Sequence, residues 1–248
     1  MNGKWIAIVL AVLIAVLAGC EGNPVRHKVE KSVEQSLPAL IGPAQSYSVK
    51  AYGSTVGMVS GKLSGLDIIG LDVRLPNGVN VARLNAKLTN ITFDSGSKEI
   101  KSVEKTEYTA SLTEAEVTRY MREKHPGIAG LNVALADRNI RVSARPGVSV
   151  LRTAVQADAD LEIRENRILA LDLKKVKVAG VHAPDFALDF LGSKLGVIFD
   201  ANDLGFEAKI RSVVIGPGSL TLVGDLDLMK VVERQKAAGT PRTPTASP

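Results

Sequence analysis

Between Tyr47 and Phe93 the apolar residues fall two apart, lose step and regain it, and this pattern constrains the fold more than any other feature of the chain. Ile68, Ile69, Leu71, Val73 and Leu75 lead to Asn77-Gly78, after which Val79 and Val81, then Leu84, Ala86 and Leu88, then Ile91 and Phe93 keep a period of two. A period of two marks strands, and Asn-Gly between two such runs marks a two-residue hairpin turn. Each loss of step moves the apolar side chains to the other face, which requires a bulge or a strong twist. The expected product is a curved sheet.

The rest of the body supports a mixed class. Val25, Val29, Val33, Leu37, Leu40 and Ile41 recur at three-to-four-residue spacing with polar residues between them, which predicts an amphipathic helix over residues 25–41, ended by Pro38 and Gly42-Pro43. A second helix is expected after Ser111, whose hydroxyl can cap it while Glu114 reaches back, with His125-Pro126-Gly127 as its stop. Strands are expected at Leu131 to Leu135, Asn139 to Ala144, Val155 to Ile163 and Leu169 to Leu173, with turns at Asp137-Arg138 and Glu165-Asn166. Residues 184–199 read as the most apolar helix, and a final hairpin turns through Gly216-Pro217-Gly218-Ser219. So many half-polar strands in succession favour an antiparallel α+β arrangement, a curved sheet wrapped around amphipathic helices. Gly53, Gly57, Gly61 and Gly65 fit either one bare face of a strand or loops with glycine turns.

The two ends differ from the body. Lys4 precedes the uncharged apolar residues 5–18, the layout of a secretory signal. Those fourteen residues would span roughly 21 Å as a helix, short of the roughly 30 Å hydrocarbon core. Leu17-Ala18-Gly19-Cys20 resembles the lipobox of bacterial lipoproteins, in which the cysteine is acylated and the bond before it cut. The expected organisation is a signal at residues 1–19, a lipidated tether at 20–25, one domain at 26–231 and a proline-bearing tail at 232–248 too poor in large apolar side chains to fold. Cys20 is the single cysteine, so no internal disulfide forms. Loss of Lys4 lowers the formal net charge from +5 to +4, which suits an anionic membrane surface and is too diffuse for nucleic acid.

Reactive constellations are missing from the sequence. His27, His125 and His182 stand apart, without metal-ligand spacing or a triad partner. Gly61-Lys62 is followed by Leu63 where a phosphate loop needs Ser or Thr. The stretch from Asp200 to Gly205 puts Leu204 where a calcium loop needs a ligand. Lys174, Lys175 and Lys177 read as a wet strand face. No enzyme, metal or cofactor is expected.

The helix of residues 25–41, the glycine-spaced segment leading to Leu63-Ser64-Gly65-Leu66-Asp67, the ladder from Leu84 to Ile91 and the Ser111-Leu112-Thr113-Glu114 cap together resemble the LmeA-like phospholipid-binding family, over about residues 26–230. The resemblance implies an extracytoplasmic protein that binds phospholipid, with a fold similar to tubular lipid-binding domains. The ligand would be a phospholipid or another acyl-chain lipid in an apolar groove, for transport or envelope maintenance, with Cys20 anchoring the chain to the cell membrane or outer membrane facing the periplasm or exterior. Val29, Val33 and Leu37, and Phe186, Phe190 and Leu191, are the candidate groove lining. The alternative is a structural or assembly lipoprotein with a packed core and a protein partner.

Overall fold

Two antiparallel sheets make up the body of the computed structural model, which describes residues 24–94, 100–145, 155–178, 181–182, 196–201 and 208–230. The first contains β1 (Ser46–Tyr52), β2 (Lys62–Arg74), β3 (Asn80–Phe93), β4 (Ile100–Thr113), β11 (Ala208–Gly216) and β12 (Ser219–Leu226), in the order β1-β2-β3-β4-β12-β11. It curls into a half-barrel. The second contains β5 (Ala129–Ala136), β6 (Asn139–Arg145), β7 (Val155–Arg164), β8 (Ile168–Val178) and β10 (Val197–Asp200), in the order β10-β8-β7-β6-β5, with β9 (Val181–His182) also paired to β8.

The curl originates in the lost steps of the sequence. On β2 the buried positions jump from Leu63 to Leu66 and from Gly70 to Val73. Their partners on β3 are Ile91 and Leu88, and Leu84 and Val81, so both strands change face at the same level and the register continues unbroken. One residue near each jump is left-handed: Asn90 at φ 47° and Asp72 at φ 49°. A left-handed residue inside a strand rotates the pleat and adds twist, which coils the sheet without uncoupling it. The β2–β3 turn is longer than the expected two residues. Leu75 N–H donates to Val79 O (2.8 Å) and Gly78 N–H to Leu75 O (2.9 Å), with Gly78 at φ 84°. Pro76 suits the first bend, and the left-handed glycine closes a three-residue loop.

Three helices are described: α1 (Pro24–Leu40), α2 (Thr55–Val59) and α3 (Glu114–Lys124). Helix α1 lies along β1 and runs opposite to it. Arg26 donates to Gly53 O (3.3 Å) near its start, Ala51 N–H donates to the Glu30 carboxylate (2.9 Å), and Tyr47 Oη donates to Gly42 O (2.8 Å) past its end. Pro38 falls inside the last turn, which still closes through Ile41 N–H to Leu37 O (2.8 Å), so it removes one backbone donor without ending the helix. Of the two readings of the glycines, glycine turns hold at Gly53, which follows β1, and at Gly61, which turns the chain into β2 at φ 85°, whereas Gly57 sits in α2 and Gly65 in strand β2.

Two expectations are corrected. The cap of α3 is Thr113, which accepts from Glu116 N–H (3.2 Å), and not Ser111. Pairing with Ser219 and Thr221 of β12 holds both Thr113 and Ser111 in β4, so the helix cannot begin earlier. The end of the expected helix over residues 184–199 is strand β10, paired to β8. Two β-branched residues, Val197 and Ile198, followed by Phe199, suit a pleated edge better than a helix terminus. The turns at Asp137-Arg138 and Glu165-Asn166 form as expected, with Arg138, Glu165 and Asn166 all at positive φ.

Side chains of α3 tie the sheets together. The outer edge of β5 would otherwise present unpaired backbone groups. Glu114 accepts from Leu135 N–H (2.7 Å), Thr118 Oγ1 both accepts from Val133 N–H (3.0 Å) and donates to Val133 O (3.2 Å), and Arg122 donates to Leu131 O (2.5 Å). Gly218, in the β11–β12 turn, adds a bond to Leu135 O (2.9 Å), and Ile210 of β11 donates to Asn166 O (2.6 Å) at the β7–β8 turn.

Candidate functional site: an apolar seam between the sheets

Where the far end of the first sheet meets α3 and the second sheet, a cavity of about 40 Å³ remains. Leu75, Val79 and Val81 contribute from the β2–β3 turn and β3, and Tyr108, Ala110 and Leu112 from β4. Leu220 and Leu222 of β12 continue the same wall, because Ala110 pairs with Leu222 and Leu112 with Leu220. Val117 and Tyr120 of α3 form the second wall, and Leu169, Ile198 and Phe199 of the second sheet form the third. The Tyr120 and Phe199 rings meet at 6.1 Å with a 58° tilt, an edge-biased contact across the seam.

Polar groups frame this space without entering it. Tyr108 Oη donates to Lys209 O (3.3 Å), and burial, helped by the Asp225 charge, pushes its pKa up to about 12, so the ring is neutral. Gly224 makes that placement possible, since a Cβ there would lie 2.7 Å from Tyr108 Oη and 1.9 Å from Lys209 O. On α3, Glu116 accepts from Asn80 N–H (2.6 Å), and Arg119 grips Glu116 through two nitrogens while donating to Gly78 O (2.6 Å). This latch fastens the β2–β3 turn over the seam. Burial opposes the charged form of Glu116, but the Arg119 and Asn80 hydrogen bonds and the nearby Arg74 outweigh it and hold its pKa below the usual carboxylate range. Lys124 lies 5.6 Å from the Tyr120 ring. His125, whose Nε2 is buried without a partner, has its pKa lowered by burial and by Lys124, against a hydrogen bond to the Val197 backbone.

A second, open hollow of about 400 Å³ crosses the first sheet. Its floor is two cross-strand rows, Asp67-Lys87-Glu107 and Ile69-Asn85-Thr109-Val223. Arg211 borders it but is held by Glu107 (2.8 Å) and Asp225 (3.1 Å), so its guanidinium is already committed to carboxylates. Among the described residues no group of three or more His, Cys, Asp or Glu could hold a metal ion, and no helix is long and apolar enough to cross a membrane.

The candidate lining residues on α1 lie elsewhere. Val29 and Leu37 are buried and Val33 is half-buried, on α1 beside β1, and none of the three borders the cavity. Phe186, Phe190 and Leu191, like Cys20, lie outside the described residues. The residues that border this cavity were not singled out in the sequence because they come from six separate stretches of the chain. Its one local signal was the clean apolar spacing of Val79 and Val81 and of Leu220 and Leu222.

The fold and site define a class: a β-rich body of two antiparallel sheets, with an apolar seam closed by a polar latch. The chain belongs to the LmeA-like phospholipid-binding family, whose model matches residues 22–225. The search of curated proteins found no match, and neither did the search of solved structures.

Proposed function

We propose that this protein is a membrane-tethered, extracytoplasmic lipid carrier: Cys20 holds it to the membrane through acyl chains, and the seam between its sheets seats the acyl part of a phospholipid. It acts by binding, without catalysis. The observation that carries the reading is the wholly apolar lining of the seam in a chain of a phospholipid-binding family. Each methylene withdrawn from water contributes about 0.8 kcal/mol, so ten supply about 8 kcal/mol without any reactive group. Lys124, 5.6 Å from the ring of the lining Tyr120, is the candidate partner for a phosphate headgroup.

Seating a chain requires the seam to widen. The cavity of about 40 Å³ is smaller than the apolar cavity of about 150 Å³ that admits a benzene ring. The same observation favours the second reading, a structural lipoprotein whose core is simply packed. Extraction of the full-length chain, purified from bacterial membranes in mild detergent, separates the two. Carriage predicts co-purified phospholipid in stoichiometric proportion, displaced by a fluorescent fatty acid. A chain that yields neither lipid nor uptake has a packed core, and the carrier reading fails.

A further inference from the structure

The end of the first sheet remote from the seam carries an apolar feature that the core does not use. Between β1 and β2, residues 53–61 form a tip around α2, with Val56 80 % exposed and Val59 55 % exposed. Val56 is the most exposed of the described large hydrophobic residues. The tip is built to hold them there. Met58, between the two valines, is 2 % exposed and pins α2 to the core. Ser54 caps the turn by accepting from Gly57 N–H (3.0 Å), and a Cβ at Gly57 would lie 3.0 Å from that same hydroxyl oxygen. Gly53 and Gly61, both at positive φ, close the two ends.

We propose that this tip is a membrane-docking element that lays Val56 and Val59 into the surface of an anionic phospholipid bilayer. Two observations select a bilayer over a protein partner. Charge is the first: Arg26, bonded to Gly53 O, and Lys62, at the end of the tip, flank the valines with cations, and Lys50 lies 5.5 Å from the ring of Tyr52, itself 38 % exposed. These three cations outnumber the nearby carboxylates of Asp67, which accepts from Tyr52 Oη (2.8 Å), and Glu30, which accepts from Ala51 N–H, and apolar side chains flanked by cations with an amphipathic aromatic beside them match the layering of a bilayer interface. Position is the second. The Arg26 bond places the start of α1 beside the tip, and only three residues separate Cys20 from Pro24, so the four steps between them reach about 14 Å when extended. This second argument rests on the lipid anchor proposed above.

Docked in this way, the body stands on its tip with the latch and seam at the distal end of α1. A helix of seventeen residues is about 26 Å long, so the seam lies on the far side of the body from the tethering bilayer.

The test uses the full-length chain recovered from bacterial membranes and reconstituted in vesicles of phosphatidylethanolamine and phosphatidylglycerol. An environment-sensitive fluorophore is placed on Val56→Cys or, as a reference on the second sheet, on Lys175→Cys. Docking predicts blue-shifted emission and quenching by nitroxide-labelled lipid at position 56 and neither at 175. It also predicts that Val59→Asp, added to Val56→Cys, lowers the quenching, as does replacing phosphatidylglycerol by phosphatidylcholine. Equal emission and quenching at the two positions overturns the proposal. Label stoichiometry reads the anchor separately, because one label per chain means Cys20 is blocked and two mean that it is a free thiol. The difference between positions 56 and 175 is informative in either case.

Discussion

Ala110 offers a way to separate a seam that takes lipid from one that is only imperfectly packed. It is 8 % exposed, sits on β4 between Leu84 and Leu222, and borders the cavity. Ala110→Val adds two methyl groups toward a space of about 40 Å³. Filling a cavity recovers about 24 cal/mol per Å³, so complete occupation contributes about 1 kcal/mol. Valine also suits a strand better than alanine. In a body of this size 1 kcal/mol moves Tm by about 2–4 °C, so differential scanning fluorimetry should show a rise of that order. Lipid carriage predicts that the same variant, though more stable, loses co-purified phospholipid and takes up fluorescent fatty acid more weakly, because the added methyl groups compete with the chain. A gain in stability accompanied by loss of ligand is not produced by misfolding. Unchanged lipid content in a stabilised Ala110→Val would refute the seam as the seat, and a fall in Tm would refute the cavity geometry itself.

Four further outcomes follow from the frame around the seam. Glu116→Ala leaves Asn80 N–H without its acceptor and Arg119 with half its grip; the cost is about 1–3 kcal/mol, measured as a lower urea midpoint. Because the Glu116 pKa is depressed, its contribution is present above the unfolded carboxylate range and fades as pH falls through the folded value, so Glu116→Gln should flatten the acid limb of stability. His125 works in the same direction at higher pH. With its folded pKa below the ordinary 6.5, the unfolded chain binds more protons in that window, and stability falls as pH drops below 6.5. His125→Gln should remove that slope from a Tm series between pH 5 and 7, and an unchanged slope would contradict it. Gly224→Ala forces the β11 backbone at Lys209 to move, and Tyr108 with it, an overpacking cost of about 1–3 kcal/mol that chemical denaturation would detect.

What the sequence disclosed and what it withheld divide along local and non-local lines. The coiling of the first sheet was legible because two paired strands lose step together, and a break in alternation is a local signal. Turns at Arg138 and at Glu165-Asn166 were legible for the same reason. Strand β4, although central in its sheet, was not, because Lys101, Lys105 and Glu107 cover its wet face and only Thr106, Ala110 and Leu112 are buried along fourteen residues. An apolar run such as Val197-Ile198-Phe199 carries no periodicity that separates a buried helix from a strand, so its state was decided by the neighbouring β8. The seam lies furthest from sequence reasoning, since none of its walls can be inferred without knowing that β3, β4, β12, α3 and β10 converge.

That convergence also identifies which wall can yield. Helix α3 is fixed on three sides: Glu116 and Arg119 to the β2–β3 turn, Glu114, Thr118 and Arg122 to the edge of β5, and Val117 and Tyr120 against the lining. The β3–β4–β12 wall is the interior of a continuous sheet, and displacing it would break ladders on both sides. Strand β10 has four residues and, among the described residues, lies at the edge of its sheet and is laddered to β8 alone, with a shift in register between Val197 and Phe199. Its holds on the opposite side are the contact of Phe199 with Tyr120 and the hydrogen bond between His125 and the Val197 backbone. Aromatic pairs of this kind contribute about 0.5–1.5 kcal/mol beyond their buried area. The least costly way to enlarge the seam is therefore to swing Ile198 and Phe199 outward on β10 while α3 and the curled sheet stay in place.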